Sequence, residues 1–235
     1  SGRASGAGTP ATAGALATAA ALLLLIPATP GWLLPGEGPA PGQAQAQEAP
    51  RVMGEGDGFF PVAYDVGRNR VLLHIPADRM GEDFLHTVTL ATGLGSTRTQ
   101  LDRGQTGSRA LVRFERRGNR VLLVQDNWSI RALGADEAET RAAVEGFPTS
   151  VLASFTVDSE EGGVVVVDAS TFFFADAWGV ADRLRAGGQG TSRVDRDRSW
   201  LVEESSGVFP RNTEVRMSLT FVGDQPGPEL RRTAP

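Results

Sequence analysis

The 235-residue sequence contains no cysteine. Disulfide bonds, thiolate zinc sites, iron–sulfur clusters and cysteine nucleophiles all require that side chain, so each of them is excluded. Hydrophobic residues make up 40% of the chain, which is enough at this length to bury a real core. We therefore expect a globular protein without covalent cross-links.

Lysine is absent as well, since all 23 basic residues are arginine, and 28 acidic residues give a formal net charge of −5. Proteins that bind nucleic acids neutralise the backbone phosphates with a basic surface. The acidic excess argues against such a surface, so we predict no nucleic-acid partner. A Walker phosphate loop is also excluded, because that motif requires a lysine.

Catalytic motifs are equally scarce. The only two histidines, His74 and His86, lie in apparent strands, and neither begins the H-E-x-x-H spacing that places two imidazoles and a glutamate base around zinc. We interpret both as ordinary sheet residues. The G-x-S-x-G turn of serine hydrolases is missing too. The residues alone nominate no catalytic, cofactor-binding or metal-binding side chain.

The segment 1–50 has the composition of targeting and linker sequence. Its apolar run "ALATAAALLLLI" at 15–26 has the length of a secretory h-region, and Ala44 and Ala46 are suitably small for a cleavage site. The stretch 35–50 is rich in Pro, Gly, Ala and Gln and has too little apolar surface to fold. We predict a signal peptide or N-terminal anchor followed by a linker, and hence an exported protein that is periplasmic, cell-surface or extracellular. An uncleaved anchor over 15–34 and a wrongly assigned start are the alternatives.

From Phe59 the sequence changes to short runs of Val, Leu and Phe separated by Gly, Asn and Asp. This punctuation predicts antiparallel strands joined by tight turns. Three hairpins are expected, with Gly67, Gly118 and residues 160–163 in their turns. Further strands are expected at 84–90, 199–204 and 213–223. The four valines at 164–167 predict a strand buried on both faces.

Two stretches have helical spacing instead. Residues 136–146 begin with a capping Asp136 and an acidic first turn, and residues 176–188 carry a stripe that includes Trp178 and Leu184 before two glycines. The segment 224–235 has two prolines and no periodicity. We predict an α+β fold, mainly antiparallel β-sheet built from hairpins with two short helices, over residues 51–223, with 224–235 as a linker.

The stretch "ATGLGSTRTQLDRGQTG" at 91–107 resembles a phosphate-binding loop at first sight. The dinucleotide fingerprint fails because Arg98 occupies the third glycine position and no helical pattern follows. We predict a structural loop that binds no nucleotide and is shaped by local hydrogen bonds of Asp102 and Arg103. Three of its glycines are expected to be intolerant of a side chain: Gly93, Gly95 and Gly104.

Two other stretches have both a functional and a structural interpretation. In "DRDR" at 195–198, Asp195 and Asp197 have calcium-loop spacing, but no Asx-Gly or distal glutamate follows. We predict a solvated turn with local ion pairs. The aromatic run "FFFADAW" at 172–178 is apolar enough for a binding face, and we interpret it as core packed under the second helix.

Six phrases occur in an order that resembles a known family. They are "GLGS" at 93–96, "LDRGQ" at 101–105, "VRFERRGNRVLLVQ" at 112–125, "VDAS" at 167–170, "GVADRL" at 179–184 and "FPRNTEV" at 209–215. The order resembles the N-terminal domain of unknown function in large, exported bacterial zinc-dependent metalloproteases of the met-zincin type. In that family a peptidase domain carrying H-E-x-x-H follows.

The resemblance implies that this chain is a non-catalytic accessory domain, inactive alone, whose partner is the downstream peptidase domain and, through it, a peptide or protein substrate. Zinc is then expected only in that downstream domain, so no cofactor is assigned to this chain. The alternative is a stand-alone exported β-rich binding module for a glycan or an envelope protein, which would use the 91–107 loop or the aromatic run. A self-contained hydrolase has no motif to support it.

Overall fold

The computed structural model describes residues 49–53, 58–95, 98–126 and 149–233, together with positions 138, 141, 145 and 146. The strands are β1 (Arg51–Met53), β2 (Val62–Asp65), β3 (Arg70–Pro76), β4 (Phe84–Thr89), β5 (Thr106–Arg117), β6 (Arg120–Gln125), β7 (Ser150–Glu161), β8 (Val164–Asp168), β9 (Thr191–Leu201), β10 (Gly207–Phe209), β11 (Asn212–Glu214) and β12 (Met217–Asp224). The helices are α1 (Ser170–Phe173), α2 (Val180–Ala186) and α3 (Pro228–Thr233), and Ala77–Arg79 and Glu203–Ser205 form 3₁₀ turns. In the part of the chain so described, no helix is long and apolar enough to cross a membrane.

Eight strands form one sheet in the order β1-β2-β3-β8-β7-β6-β5-β4, and every neighbouring pair is antiparallel. Two separate pairs, β10–β11 and β9–β12, complete the strands. The three predicted hairpins are confirmed as β2–β3, β5–β6 and β7–β8. The α+β class with mainly antiparallel sheet is therefore confirmed.

The eight-stranded sheet curls around a phenylalanine core. Phe60, just before β2, lies 5.0 Å from Phe84 at the start of β4 and 5.3 Å from Phe114 of β5, measured between ring centroids. Five strands separate β2 from β4 in the sheet order, so these contacts require the sheet to bend back on itself. Phe172 of α1 fills the concave side, 5.7 Å from Phe155 of β7. The core thus joins both edges of the sheet.

The valine run in β8 differs from its prediction. Val165 and Val167 are buried, whereas Val164 and Val166 are only half-buried. Burial on both faces is typical of parallel sheets covered by helices on each side, and this sheet is antiparallel with one face toward the core. The run is uniform in sequence, but the sheet distinguishes its two faces.

The helices also need correction. Helix α2 begins at Val180, so Trp178 lies outside it, because Asp176 accepts hydrogen bonds from the amides of Gly179, Val180 and Ala181 at 2.8–3.0 Å and sets the start there. The predicted glycine stop is confirmed, with Gly188 at φ +70°. The predicted helix over 136–146 lies mostly outside the described residues, and its four described positions are helical. The short helix α1 was not predicted.

The prediction that the fold ends near Gly223 is wrong, because Pro228–Thr233 forms α3 and packs against the domain. Leu230 is buried against Leu101 and Leu184. The buried side chain of Gln189 accepts hydrogen bonds from the amides of Glu229 and Leu230 at the start of the helix, at 2.9 and 3.3 Å. Helix α3 is held by one buried apolar residue, Leu230, and by hydrogen bonds to Gln189, which is distant in the sequence. Neither contact produces a periodic sequence pattern.

Candidate functional site

The loop at 91–107 continues the β4–β5 pairing instead of leaving a phosphate cradle. The amide of Leu90 donates to the carbonyl of Gln105 at 2.9 Å, that of Gly104 donates to Leu90 at 2.7 Å, and that of Leu94 donates to Leu101 at 2.9 Å. These bonds occupy amides that would otherwise be free to hold an anion. Ser96 and Thr97 lie outside the described residues.

The loop also packs against the second core cluster. Leu101 is 2% exposed and contacts Leu184 and Leu230, and the indole Nε1 of Trp178 donates to the carbonyl of Gln105 at 3.1 Å. The predicted local hydrogen bonds of Asp102 are present, as its backbone amide and its carboxylate both bind the Gln105 side chain, at 3.3 and 3.4 Å. Arg103 does not share that role: its side chain is exposed and has no hydrogen-bond acceptor among the described residues.

The three glycines singled out in the loop are needed for two different reasons. Gly95 and Gly104 have φ of +63° and +84°, which a side chain disfavours. Gly93 does not have positive φ, but a Cβ there would lie 2.2 Å from the carbonyl oxygen of Leu101. Its intolerance comes from close backbone approach.

Neither histidine belongs to a cluster of possible metal ligands in the part of the chain that the structure describes. His74 is half-buried in β3 opposite Val166, and the ring of His86 lies 5.5 Å from that of Phe172. Burial lowers the pKa of both imidazoles and so favours their neutral forms. Within the described residues no three or more His, Asp or Glu side chains cluster as metal ligands.

The "DRDR" stretch forms a bulge inside β9, and not the predicted turn. Four residues, 196–199, bulge out between the pairs Thr220↔Asp195 and Ser218↔Trp200, where β12 supplies only one residue. The predicted local ion pair is present between Arg198 and Asp195, at 2.6 Å. This hydrogen bond with Arg198 lowers the pKa of Asp195. The Asp195 carboxylate also accepts a hydrogen bond from the backbone amide of Asp197 at 3.1 Å, so Asp195 serves the bulge geometry.

A polar contact fastens that bulge to the β2–β3 turn. Asn69, at φ +50°, donates from its side-chain amide to the backbone carbonyls of Arg196 and Ser199, at 3.2 and 2.8 Å. The hydroxyl of Tyr64 donates to the Asn69 side-chain oxygen at 2.7 Å, and burial raises the pKa of this tyrosine. Sequence reasoning missed Asn69, although the "VGRN" turn contains it.

The aromatic run packs inward, as predicted, but its phenylalanines join the main core and not a layer under the second helix. Phe174 is 5% exposed, and Phe172 and Phe173 pack against the main core. Trp178 belongs to the second core cluster with Leu101. The run therefore provides core contacts and not an exposed aromatic face.

Ser170 is 1% exposed, and its hydroxyl lies beside a carboxylate. It donates to Asp168 Oδ1 at 2.5 Å and accepts from the amide of Val71 at 3.0 Å. Arg70 bridges Asp168 and Asp158, at 3.0 and 2.8 Å. Burial alone would raise the pKa of Asp168, but hydrogen bonds from Ser170 and Arg70 outweigh it and lower that pKa. These contacts tie β3 to β7, β8 and α1.

A second charged group surrounds Arg113 on β5. It binds Asp126 and Glu115, the latter at 2.8 Å, and lies 3.9 Å from Asp83. Hydrogen bonds to Asp126 and Glu115 raise the pKa of Arg113. The central cation pairs with these carboxylates in an ion-pair network. Among the described residues they do not form a cluster that could hold a metal ion. The alternating charges of "VRFERR" were the available sequence signal for it.

With this geometry in view, comparison with known families is informative for the C-terminal part of the chain. Residues 104–234 match DUF5117, a domain of unknown function. The chain belongs to the DUF5117 family. No significant match was found among curated proteins or solved structures.

The folded unit of this DUF5117 protein is larger than the matched region. Strands β1–β4 precede residue 104, yet β3 pairs with β8 and β4 pairs with β5 in the same sheet. Phe60, Val71 and Ile75 from this preceding part belong to the main core. Strands β1–β3 and β4 therefore complete the two ends of the DUF5117 sheet.

Proposed function

We propose that the chain is the non-catalytic N-terminal accessory domain of an exported zinc-dependent metallopeptidase. The domain docks on the peptidase domain that follows it and helps to position a peptide or protein substrate there. The observation that carries the proposal is the ordered set of six phrases at residues 93–215. We assign any zinc to the following domain. The prediction of export depends on the apolar run at 15–26, which lies outside the described residues.

The matching phrases lie where side chains determine the course of the backbone. "LDRGQ" includes the mutual bonds of Asp102 and Gln105, "VDAS" includes the Asp168–Ser170 bond, and "GVADRL" contains the start of α2. A shared order of such positions supports a shared domain fold with the family's N-terminal domain. In that family the domain precedes the peptidase domain, and we propose the accessory role from this position.

The structure of the loop and the aromatic run gives less support to the alternative, a stand-alone binding module. The two surfaces it would use are the 91–107 loop and the aromatic run, and their large apolar side chains point into the two cores, with Leu101 at 2% and Phe174 at 5% exposure. A glycan-binding face needs exposed aromatic rings.

Reading the gene beyond codon 235 tests the proposal most cheaply. We expect an open frame that reaches H-E-x-x-H. An immediate stop codon in an intact genomic context would instead support the stand-alone module.

Biochemistry supplies the second test. The purified 235-residue chain should contain no stoichiometric zinc and should not hydrolyse casein, while the parent protein should hydrolyse casein and lose this activity on chelation. Tightly bound zinc together with casein hydrolysis by this chain alone would refute the accessory assignment.

A further inference from the structure

We draw no further inference here: the strongest candidate, the outer edge of strand β4, which ends the eight-stranded sheet and exposes the side chain of Leu85, carries none because nothing in the structure shows what covers it.

Discussion

Gly93 and Gly95 lie two positions apart in one loop, and replacing each with alanine should cost different amounts of stability. In Gly93→Ala the new Cβ would lie 2.2 Å from the Leu101 carbonyl oxygen and 2.9 Å from the Arg103 amide nitrogen. The chain must open there, which breaks the hydrogen bond from Leu94 to Leu101 and loosens the buried Leu101 side chain. An unsatisfied backbone group and lost leucine burial together cost on the order of 3 kcal/mol.

Gly95→Ala has a different and smaller penalty. Nothing lies within 4 Å of a Cβ at this position, so the cost is only that of holding alanine at φ +63°, about 1 kcal/mol. Gly95→Asn should cost less, because asparagine tolerates this conformation, and Gly95→Val should cost about 1–3 kcal/mol.

Urea unfolding followed by tryptophan fluorescence measures these differences, since the Trp178 indole bonds to the loop at Gln105. The midpoints should rank wild type, Gly95→Asn, Gly95→Ala and Gly93→Ala from highest to lowest, with unchanged slopes. If Gly93→Ala is no more destabilising than Gly95→Ala, the loop does not close on Leu101 and our account of it is wrong.

Four further predictions follow from other parts of the molecule. Gln189→Leu removes the acceptor at the start of α3 and should cost about 1–2 kcal/mol, with faster amide exchange confined to that helix; uniform exchange would contradict the capping role. Burial lowers the pKa values of His74 and His86, so these histidines bind protons at a higher pH in the unfolded chain than in the folded one. The free energy of unfolding should therefore decrease as the pH falls below 6.5, by at most about 1.4 kcal/mol per pH unit for each histidine. Exchanging both for glutamine should flatten the dependence between pH 5.5 and pH 7, and an unchanged slope would contradict the burial argument. Arg103→Ala should leave a phosphate titration flat, whereas saturable phosphate binding lost in this variant at constant melting temperature would identify a ligand site. Residues 104–235 alone lack β1–β4 and should show no cooperative melting, while residues 51–235 should melt cooperatively.

The local features of the fold were predictable because they depend on neighbouring residues. Gly118 adopts φ +58° in a two-residue turn between β5 and β6, and the short apolar runs on each side predicted the hairpin. The glycine stop after α2 and the structural character of the 91–107 loop have equally local causes. The absence of H-E-x-x-H and of cysteine from the sequence likewise restricts the chemistry open to the chain.

Features that depend on distant partners were not predictable. Whether both faces of β8 are covered depends on what packs on the sheet, so four identical valines could not reveal that only Val165 and Val167 are buried. The docking of α3 requires Leu101, Leu184 and Gln189, which lie 41 or more positions away from Leu230. Composition and short-range periodicity determined that this chain forms antiparallel hairpins without a recognisable catalytic motif. Only tertiary structure decided which faces are buried and where α3 docks, because each is a contact between segments that no local pattern encodes.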